Sequence, residues 1–377
     1  RCYFLTVELL EKGAQASASI ADEVRKNWMG MREADDGCTL AADRLYFTKQ
    51  FTALDIWRKA RLMVEHNRPR TARNAVQIVA PDAANVVPDA INNAEKFLAK
   101  HIAAPQKVRQ ELVVMALVKV ATSDPDKADK LMRNKWQPYL TTEERHWVWG
   151  VIGRQSAMRL DDDALAHFAR VVHDKDLNDD MLGWKVRAAL RAGNTPKWNV
   201  VENAINAMSA EARKDPTWIY WHARALLARK KVTPQIQQEA NAMLEGIAGV
   251  RGFYEQLALE ELGRKVTVPA RPPAPTAEEI DIARRNPSLQ RALYAIGMGL
   301  RSEGVREWNY ATNLVDAQGK AGMMSDRELL AAAQHACDNQ VWDRCINTSD
   351  RTRVAIDFEQ RFPMPHKDAV IARSKTI

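Results

Sequence analysis

The chain has 377 residues, of which 46% are hydrophobic, with only 16 glycines and 16 prolines. This length predicts two or more domains or one elongated repeat array, and the low glycine and proline content argues against a β-sandwich. No apolar run approaches the roughly 20 residues that a membrane-spanning helix needs, and the net charge of +7 arises without any block of like charges, which argues against a nucleic-acid partner.

Amphipathic helices separated by short breaks are predicted along the first half of the chain. Apolar residues at helical spacing indicate helices within 41–64, 108–120 and 147–158. The segments 123–125 (Ser-Asp-Pro) and 141–144 (Thr-Thr-Glu-Glu) are typical helix starts, because a side-chain oxygen there can accept a free backbone N–H. Strand-like alternation of polar and apolar residues is nearly absent.

The same pattern continues to Gly263. Helices are predicted over 161–172 and 179–192, and others begin near Pro216, Pro234 and Phe253. Each of these helices buries only one face, so consecutive helices must stack in antiparallel pairs. Such stacking predicts an all-α solenoid, here with degenerate repeats, since no strict period is visible.

A proline-rich segment over 266–276 interrupts the helical pattern. Four prolines within it exclude a helix and predict an extended linker. Helical spacing resumes at Glu278. The chain is therefore predicted to divide into a superhelical helical-repeat domain (1–265), a proline-rich linker (266–276) and a smaller helical domain (277–362).

The four cysteines form two local pairs, Cys2 with Cys38 and Cys337 with Cys345. This distribution is compatible with two disulfides and an oxidising compartment, and equally with four buried free thiols in a cytosolic protein. His335 and the nearby cysteines fit no standard zinc spacing, so no metal site is predicted. No glycine-rich phosphate loop occurs either, and no cofactor is expected.

The chain has eleven tryptophans, a residue type on which sugar-binding proteins stack pyranose rings. Tryptophan at a helix–helix contact ordinarily has a core role, because its side chain buries a large area. Trp218, Trp221, Trp308 and Trp342 are therefore expected to lie in the core.

Several segments of the second half resemble the soluble lytic murein transglycosylases of Gram-negative bacteria. The tryptophan-rich stretch 218–227 and the Arg-Gly-Phe-Tyr turn at 251–254 are similar to elements late in that family's superhelical ring. The segments 306–308 and 339–344 resemble elements of its linker domain. The run 358–365 (Phe-Glu-Gln-Arg-Phe-Pro-Met-Pro) is similar to the junction with its lysozyme-like catalytic domain.

The resemblance implies a ring domain, a linker domain and, at 363–377, the start of a truncated catalytic domain. The spacing of Cys2 and Cys38 also resembles a disulfide early in that ring. The family's catalytic Glu lies in an Arg-Gln-Glu-Ser-like helix, and the Arg-Gln-Ser segment at 154–156 lacks that Glu. No residue of the chain is therefore expected to be catalytic, and the chain alone is expected to be inactive.

By this resemblance the parent protein is a periplasmic lyase that cleaves peptidoglycan glycan strands to 1,6-anhydromuramoyl products. The chain is then expected to be the non-catalytic scaffold that positions the enzyme on murein. Glycan strands and cell-wall synthesis proteins are the expected partners, and the expected state is a monomer. The alternative is a tetratricopeptide-like periplasmic scaffold that binds proteins and has no enzymatic activity.

Overall fold

The computed structural model of the chain describes residues 2–12, 18–100, 106–313 and 324–375. These residues form helices and no β-strand, so the all-α prediction is confirmed. The chain divides into two compact units, Arg1–Lys265 and Val266–Ile377. None of the described helices combines the length and the apolar character needed to cross a bilayer.

Unit 1 contains sixteen described α-helices, and most of them pack against their neighbours in sequence, as in a solenoid. One continuous core extends from Cys2 to Ala225, and a smaller core lies between Tyr220 and Ala258. The helices are α1 (Cys2–Lys12), α2 (Ala18–Gly30), α3 (Asp36–Phe47), α4 (Ala53–Glu65), α5 (Pro69–Val79), α6 (Val87–Asn92), α7 (Ala94–Ala99), α8 (Gln106–Ser123), α9 (Pro125–Leu131), α10 (Thr142–Met158), α11 (Ala164–Phe168), α12 (Asp179–Arg191), α13 (Trp198–Ala207), α14 (Pro216–Leu227), α15 (Pro234–Ile247) and α16 (Phe253–Glu261).

Helix starts agree well with the sequence signals, whereas two predicted helices differ in extent. Thr141 and Glu144 form a reciprocal capping box at the start of α10, and Asp124 caps α9. The segment 41–64 is not one helix: it breaks between α3 and α4, where Lys49 has a φ of 61° and Thr52 caps α4. The segment 161–172 holds only the five-residue α11.

Helices α8 and α10 lie at the centre of unit 1 and are buried over long stretches of consecutive residues. A helix buried on all sides needs small residues wherever a neighbour approaches closely. A Cβ added at Gly150 would lie 2.5 Å from Leu177 Cδ2, and one added at Gly153 would lie 2.9 Å from Phe168 Cγ. Both glycines lie inside α10, and their lack of a side chain lets α11 and the turn that follows it pack against this helix.

A buried ion network joins α4, α8 and α10. The Arg61 side chain is fully buried and donates two hydrogen bonds of 2.8 Å to the equally buried Glu111. It donates two more, at 3.0 and 2.8 Å, to Glu143. Burial opposes the positive charge, but the two carboxylates raise the pKa of Arg61. Lys107 lies 2.8 Å from Glu111 and Arg58 lies 3.0 Å from Glu143, so each carboxylate has a second cation.

Glu65, at the end of α4, is a second buried carboxyl group. It accepts a hydrogen bond of 2.9 Å from Trp147 Nε1, and its other oxygen lies 2.9 Å from Arg154 in an ion pair without hydrogen-bond geometry. Burial raises the pKa of Glu65 to about 7, although Arg154 and the Trp147 N–H oppose this shift. Arg154 also pairs with Asp180, so this contact joins α4, α10 and α12.

Unit 2 has its own core, which surrounds the fully buried Trp308. The indole N–H of Trp308 donates a buried hydrogen bond of 2.8 Å to Thr348 Oγ1. Residues 266–276 form no helix, and Arg327 donates hydrogen bonds to the carbonyls of Pro273 and Ala274. The helices are α17 (Ala277–Arg285), α18 (Pro287–Gly297), α19 (Arg301–Asn313), α20 (Asp326–Asp338), α21 (Trp342–Ser349), α22 (Phe358–Arg361) and α23 (Lys367–Ser374).

Candidate functional site

The four cysteines named from the sequence form two disulfides, one in each unit. Cys2 is bonded to Cys38 with a Cα–Cα distance of 4.8 Å, and Cys337 to Cys345 with 5.2 Å. Asp35 lies close to the first disulfide, but its side chain caps α3 by accepting a hydrogen bond from the backbone N–H of Cys38. Cysteines in disulfides are not thiolate ligands, so these clusters give no argument for a metal site.

The four tryptophans expected in the core differ in burial. Trp308 is fully buried, as expected. Trp218 and Trp221 pack against the core of unit 1 but remain partly exposed, and Trp342 is also partly exposed. The core expectation is therefore met fully only by Trp308, and the two tryptophans of α14 keep part of their surface available to a ligand.

Five partly exposed aromatic side chains of unit 1 form the feature that we call the aromatic surface. It begins with Trp184 of α12 and Trp218 of α14. Arg187 lies between them, with its guanidinium carbon 4.9 Å from one ring centroid and 5.2 Å from the other. This distance is typical of a cation–π contact. The full set is Trp184, Trp198, Trp218, Trp221 and Tyr254.

The remaining members meet around Trp221, one helical turn after Trp218. The ring centroids of Trp198 and Trp221 are 6.4 Å apart, and those of Trp221 and Tyr254 are 6.3 Å apart. Trp221 Nε1 also donates a hydrogen bond of 3.2 Å to the Tyr254 hydroxyl. This bond joins the tryptophan-rich stretch 218–227 to the Arg-Gly-Phe-Tyr turn, two segments that sequence reasoning singled out separately.

Charged groups flank the aromatic surface. Arg224 is ion-paired with Glu261, and both contact the hydroxyl of the buried Tyr220. Burial raises the pKa of that hydroxyl and lowers the pKa of the nearby His222 imidazole. Aromatic faces beside a guanidinium are suited to holding a ring-shaped polar ligand, since the rings bind its apolar face and the cation its polar rim.

The Arg-Gln-Ser segment of the sequence lies inside α10, where Arg154 is buried against Glu65. Sequence reasoning missed the pairing of Trp184 with Trp218 through Arg187. The i, i+3 spacing of Trp184 and Arg187 was the available signal, because residues three apart share a helix face.

No protein-family model matches the chain. The soluble lytic murein transglycosylase of Escherichia coli is 23% identical over 233 residues, which are 56% of this chain and 33% of that protein. The soluble lytic murein transglycosylase of Salmonella typhimurium is 23% identical over 306 residues, 79% of this chain and 42% of that protein. The chain thus spans between a third and about two fifths of the curated relatives that it matches.

Solved structures agree with this likeness at the level of fold. An inactive mutant of the lytic transglycosylase Slt of Pseudomonas aeruginosa has a TM-score of 0.56 and 20% identity, covering 100% of this chain and 59% of that one. The 70 kDa soluble lytic transglycosylase of Escherichia coli has a TM-score of 0.54 and 16% identity, covering 98% and 57%. A 70 kDa soluble lytic transglycosylase in complex with bulgecin A has a TM-score of 0.53. The resemblance predicted from the sequence is confirmed: this chain is similar to the soluble lytic murein transglycosylases and shares the all-α superhelical fold of their solved structures.

Proposed function

We propose that the chain is the non-catalytic scaffold of a periplasmic lytic transglycosylase and that it positions the enzyme on peptidoglycan glycan strands. The observation that carries the proposal is the likeness to soluble lytic murein transglycosylases, in sequence over as much as 79% of the chain and in fold over 98–100% of it. The two disulfides support a periplasmic location, because disulfides persist in oxidising compartments.

The aromatic surface is the proposed contact with the glycan strand. Pyranose rings present flat C–H faces that pack well on partly exposed indoles. The Arg187 guanidinium lies over the rings of Trp184 and Trp218, and it adds a cation for the carboxylates of peptide stems. The 377 residues contain no Arg-Gln-Glu-Ser-like segment, so the scaffold is proposed to bind murein without cleaving it.

Co-sedimentation with purified murein sacculi tests this proposal. The chain is expected to sediment with sacculi and to release no anhydro-muropeptides, whereas release of such products would refute the scaffold role. Arg187→Ala should weaken sedimentation, and Arg191→Ala is the matched control, since Arg191 lies one turn further along the same helix and is also exposed. A chain that stays in the supernatant but captures a periplasmic protein would favour the protein-binding alternative.

A further inference from the structure

A cavity of about 390 Å³ in unit 1 lies between the turn that joins α10 to α11 and the segment from the end of α12 to the start of α13. Its lining residues all belong to the range 106–313, which the structure describes without a gap. The volume lies at the small end of the range for ligand sites, about 300–1,000 Å³. The lining residues that decide its chemistry are Asp161, Asp162, Ala164, Ala188, Arg191 and Lys197.

The acidic side of the cavity is the turn that follows α10. Leu160 has a φ of 65° there, and the backbone N–H of Asp161 donates a hydrogen bond of 2.9 Å to the Ser156 carbonyl, which closes the turn against the helix. Carboxylates that precede a helix often cap it, but Asp163, the N-cap residue of α11, makes no side-chain capping hydrogen bond. Within the described part of the chain, the side chains of Asp161 and Asp162 have neither an ion pair nor a hydrogen bond. Helix capping and ion pairing therefore leave both carboxylates available to a ligand.

The basic side of the cavity is formed by the end of α12 and the residue before α13. Gly193 turns the chain with a φ of 64°, and the backbone N–H of Lys197 donates a hydrogen bond of 2.9 Å to the Ala189 carbonyl, which holds this segment against α12. Arg191 donates a hydrogen bond of 3.3 Å to the Leu160 carbonyl and so ties the basic side to the acidic one. The Lys197 ammonium has no ion-pair partner among the described residues. Because Lys197 is the N-cap residue of α13, the helix dipole adds positive potential beside it.

Small apolar side chains complete the lining between the two charged sides. Ala164 and Ala188 are buried there, so they offer apolar contact while leaving space. The lining includes no aromatic ring, which distinguishes the cavity from the aromatic surface and gives a sugar ring no stacking partner. Opposite charges thus face one cavity without pairing with each other. Since backbone hydrogen bonds hold both sides in place, a ligand need not order them when it binds.

We infer that this cavity binds a small zwitterion, a free amino acid or dipeptide whose ammonium and carboxylate groups are both unblocked. The ligand ammonium contacts Asp161 and Asp162, its carboxylate contacts Lys197, and its apolar side chain packs on the two alanines. A ligand with only one of the two charges leaves one side of the cavity unmatched. A calcium ion fits less well, because it takes six to eight oxygen ligands and, among the described residues, no third acidic, histidine or cysteine side chain groups with these two aspartates. The ligand is a free small molecule, so the inference does not rest on the proposed contact with glycan strands.

Calorimetric titration of the full chain tests the inference with three probes that differ in the charge of their ends. These are the dipeptide alanyl-alanine, its N-acetyl derivative, which lacks the ammonium, and its C-terminal amide, which lacks the carboxylate. Lys197→Gln should weaken binding of alanyl-alanine about two- to fivefold, the loss expected for one exposed ion pair, and should leave binding of the amide unchanged. Asp161→Asn combined with Asp162→Asn should weaken binding of alanyl-alanine about tenfold, since two ion pairs are lost, and should leave binding of the N-acetyl derivative unchanged.

Matched controls are Lys230→Gln, which changes an exposed lysine in the turn after α14, and Asp36→Asn combined with Asp43→Asn, which changes the aspartates of another cavity of unit 1. Both controls should bind all three probes as the original chain does. The inference is refuted if the chain does not bind alanyl-alanine, if it binds the three probes equally, or if the variants of the cavity bind alanyl-alanine normally. Calcium that binds the chain and is lost in the double aspartate variant of the cavity, without binding of alanyl-alanine, assigns these carboxylates to a cation and overturns the inference. Sedimentation with sacculi is a separate measurement, so either proposal can fail without the other.

Discussion

Arg61→Met is expected to destabilise unit 1 by about 3 kcal/mol. Removing one partner of a buried ion pair typically costs about 3–5 kcal/mol, because the remaining charge stays buried without compensation. Here Glu111 loses two hydrogen bonds of 2.8 Å but keeps Lys107, and Glu143 keeps Arg58. These remaining cations place the expected cost at the lower end of that range.

The double variant Arg61→Met with Glu111→Leu separates lost pairing from lost packing. Removing both charges leaves less uncompensated charge, so the double variant should be more stable than Arg61→Met alone by about 1–2 kcal/mol. Arg58→Met is the control, since Arg58 binds the same Glu143 from a partly exposed position and should cost about 1 kcal/mol or less.

Urea unfolding followed by tryptophan fluorescence measures these differences. Nine of the eleven tryptophans lie in unit 1, so the signal reports mainly on that unit. The Arg61 guanidinium itself lies 5.5 Å from the Trp147 ring centroid. The assignment of buried-charge compensation to this network is refuted if Arg61→Met costs no more stability than Arg58→Met. It is also refuted if the cost of the double variant equals the summed costs of Arg61→Met and Glu111→Leu measured singly.

Three further predictions concern other buried contacts. Because folding raises the pKa of Glu65 from 4.5 to about 7, unfolding releases a proton between these pH values. The free energy of unfolding should therefore fall by about 3 kcal/mol as pH rises through this window. Glu65→Gln should lack that fall when free energies of unfolding at pH 5 and pH 8 are compared. Replacing Cys2 and Cys38 by Ala should lower the free energy of unfolding by about 3–4 kcal/mol for a loop of this length. A reductant that destabilises this cysteine-free variant of the first loop by as much as the original chain would contradict that expectation. Thr348→Val should cost about 1–3 kcal/mol by leaving the buried Trp308 N–H without an acceptor, whereas Thr348→Ser should retain most of the stability in a thermal melt.

Local sequence signals predicted the helices well where the signal acts within one turn. The capping box of Thr141 and Glu144 needs only residues three apart, and Asp124 caps α9 in the same local way. The break between α3 and α4 was missed because Lys49 adopts a left-handed conformation that its residue type does not announce. The predicted domain limits at 276 and 362 and the start of a catalytic domain at 363 stay predictions.

The candidate site was less predictable, because exposure depends on which helices pack together. Trp218 and Trp221 have the same helical spacing as core residues, but the helices packed around α14 leave both partly exposed. Similarly, Arg61 and Glu111 are fifty residues apart, so no local pattern indicates their pairing. Likeness to a family supplied the functional hypothesis, whereas the partial exposure of Trp218 and Trp221 became visible only in three dimensions.

Helix α14 separates two cores, and this arrangement has a consequence for cooperativity. Ala225 belongs to the large core of unit 1, Tyr220 and Leu226 belong to the smaller one, and Trp221 packs against both. Helices α15 and α16 are therefore expected to open as a separate unit of hydrogen exchange while the large core stays folded, with Trp221 contributing to the coupling between the two cores. Amide hydrogens of α15 and α16 should then exchange as one group, faster than those of α8 and α10. Binding of a glycan strand at Trp221 should slow the exchange of α15 and α16 toward the rate of α8 and α10.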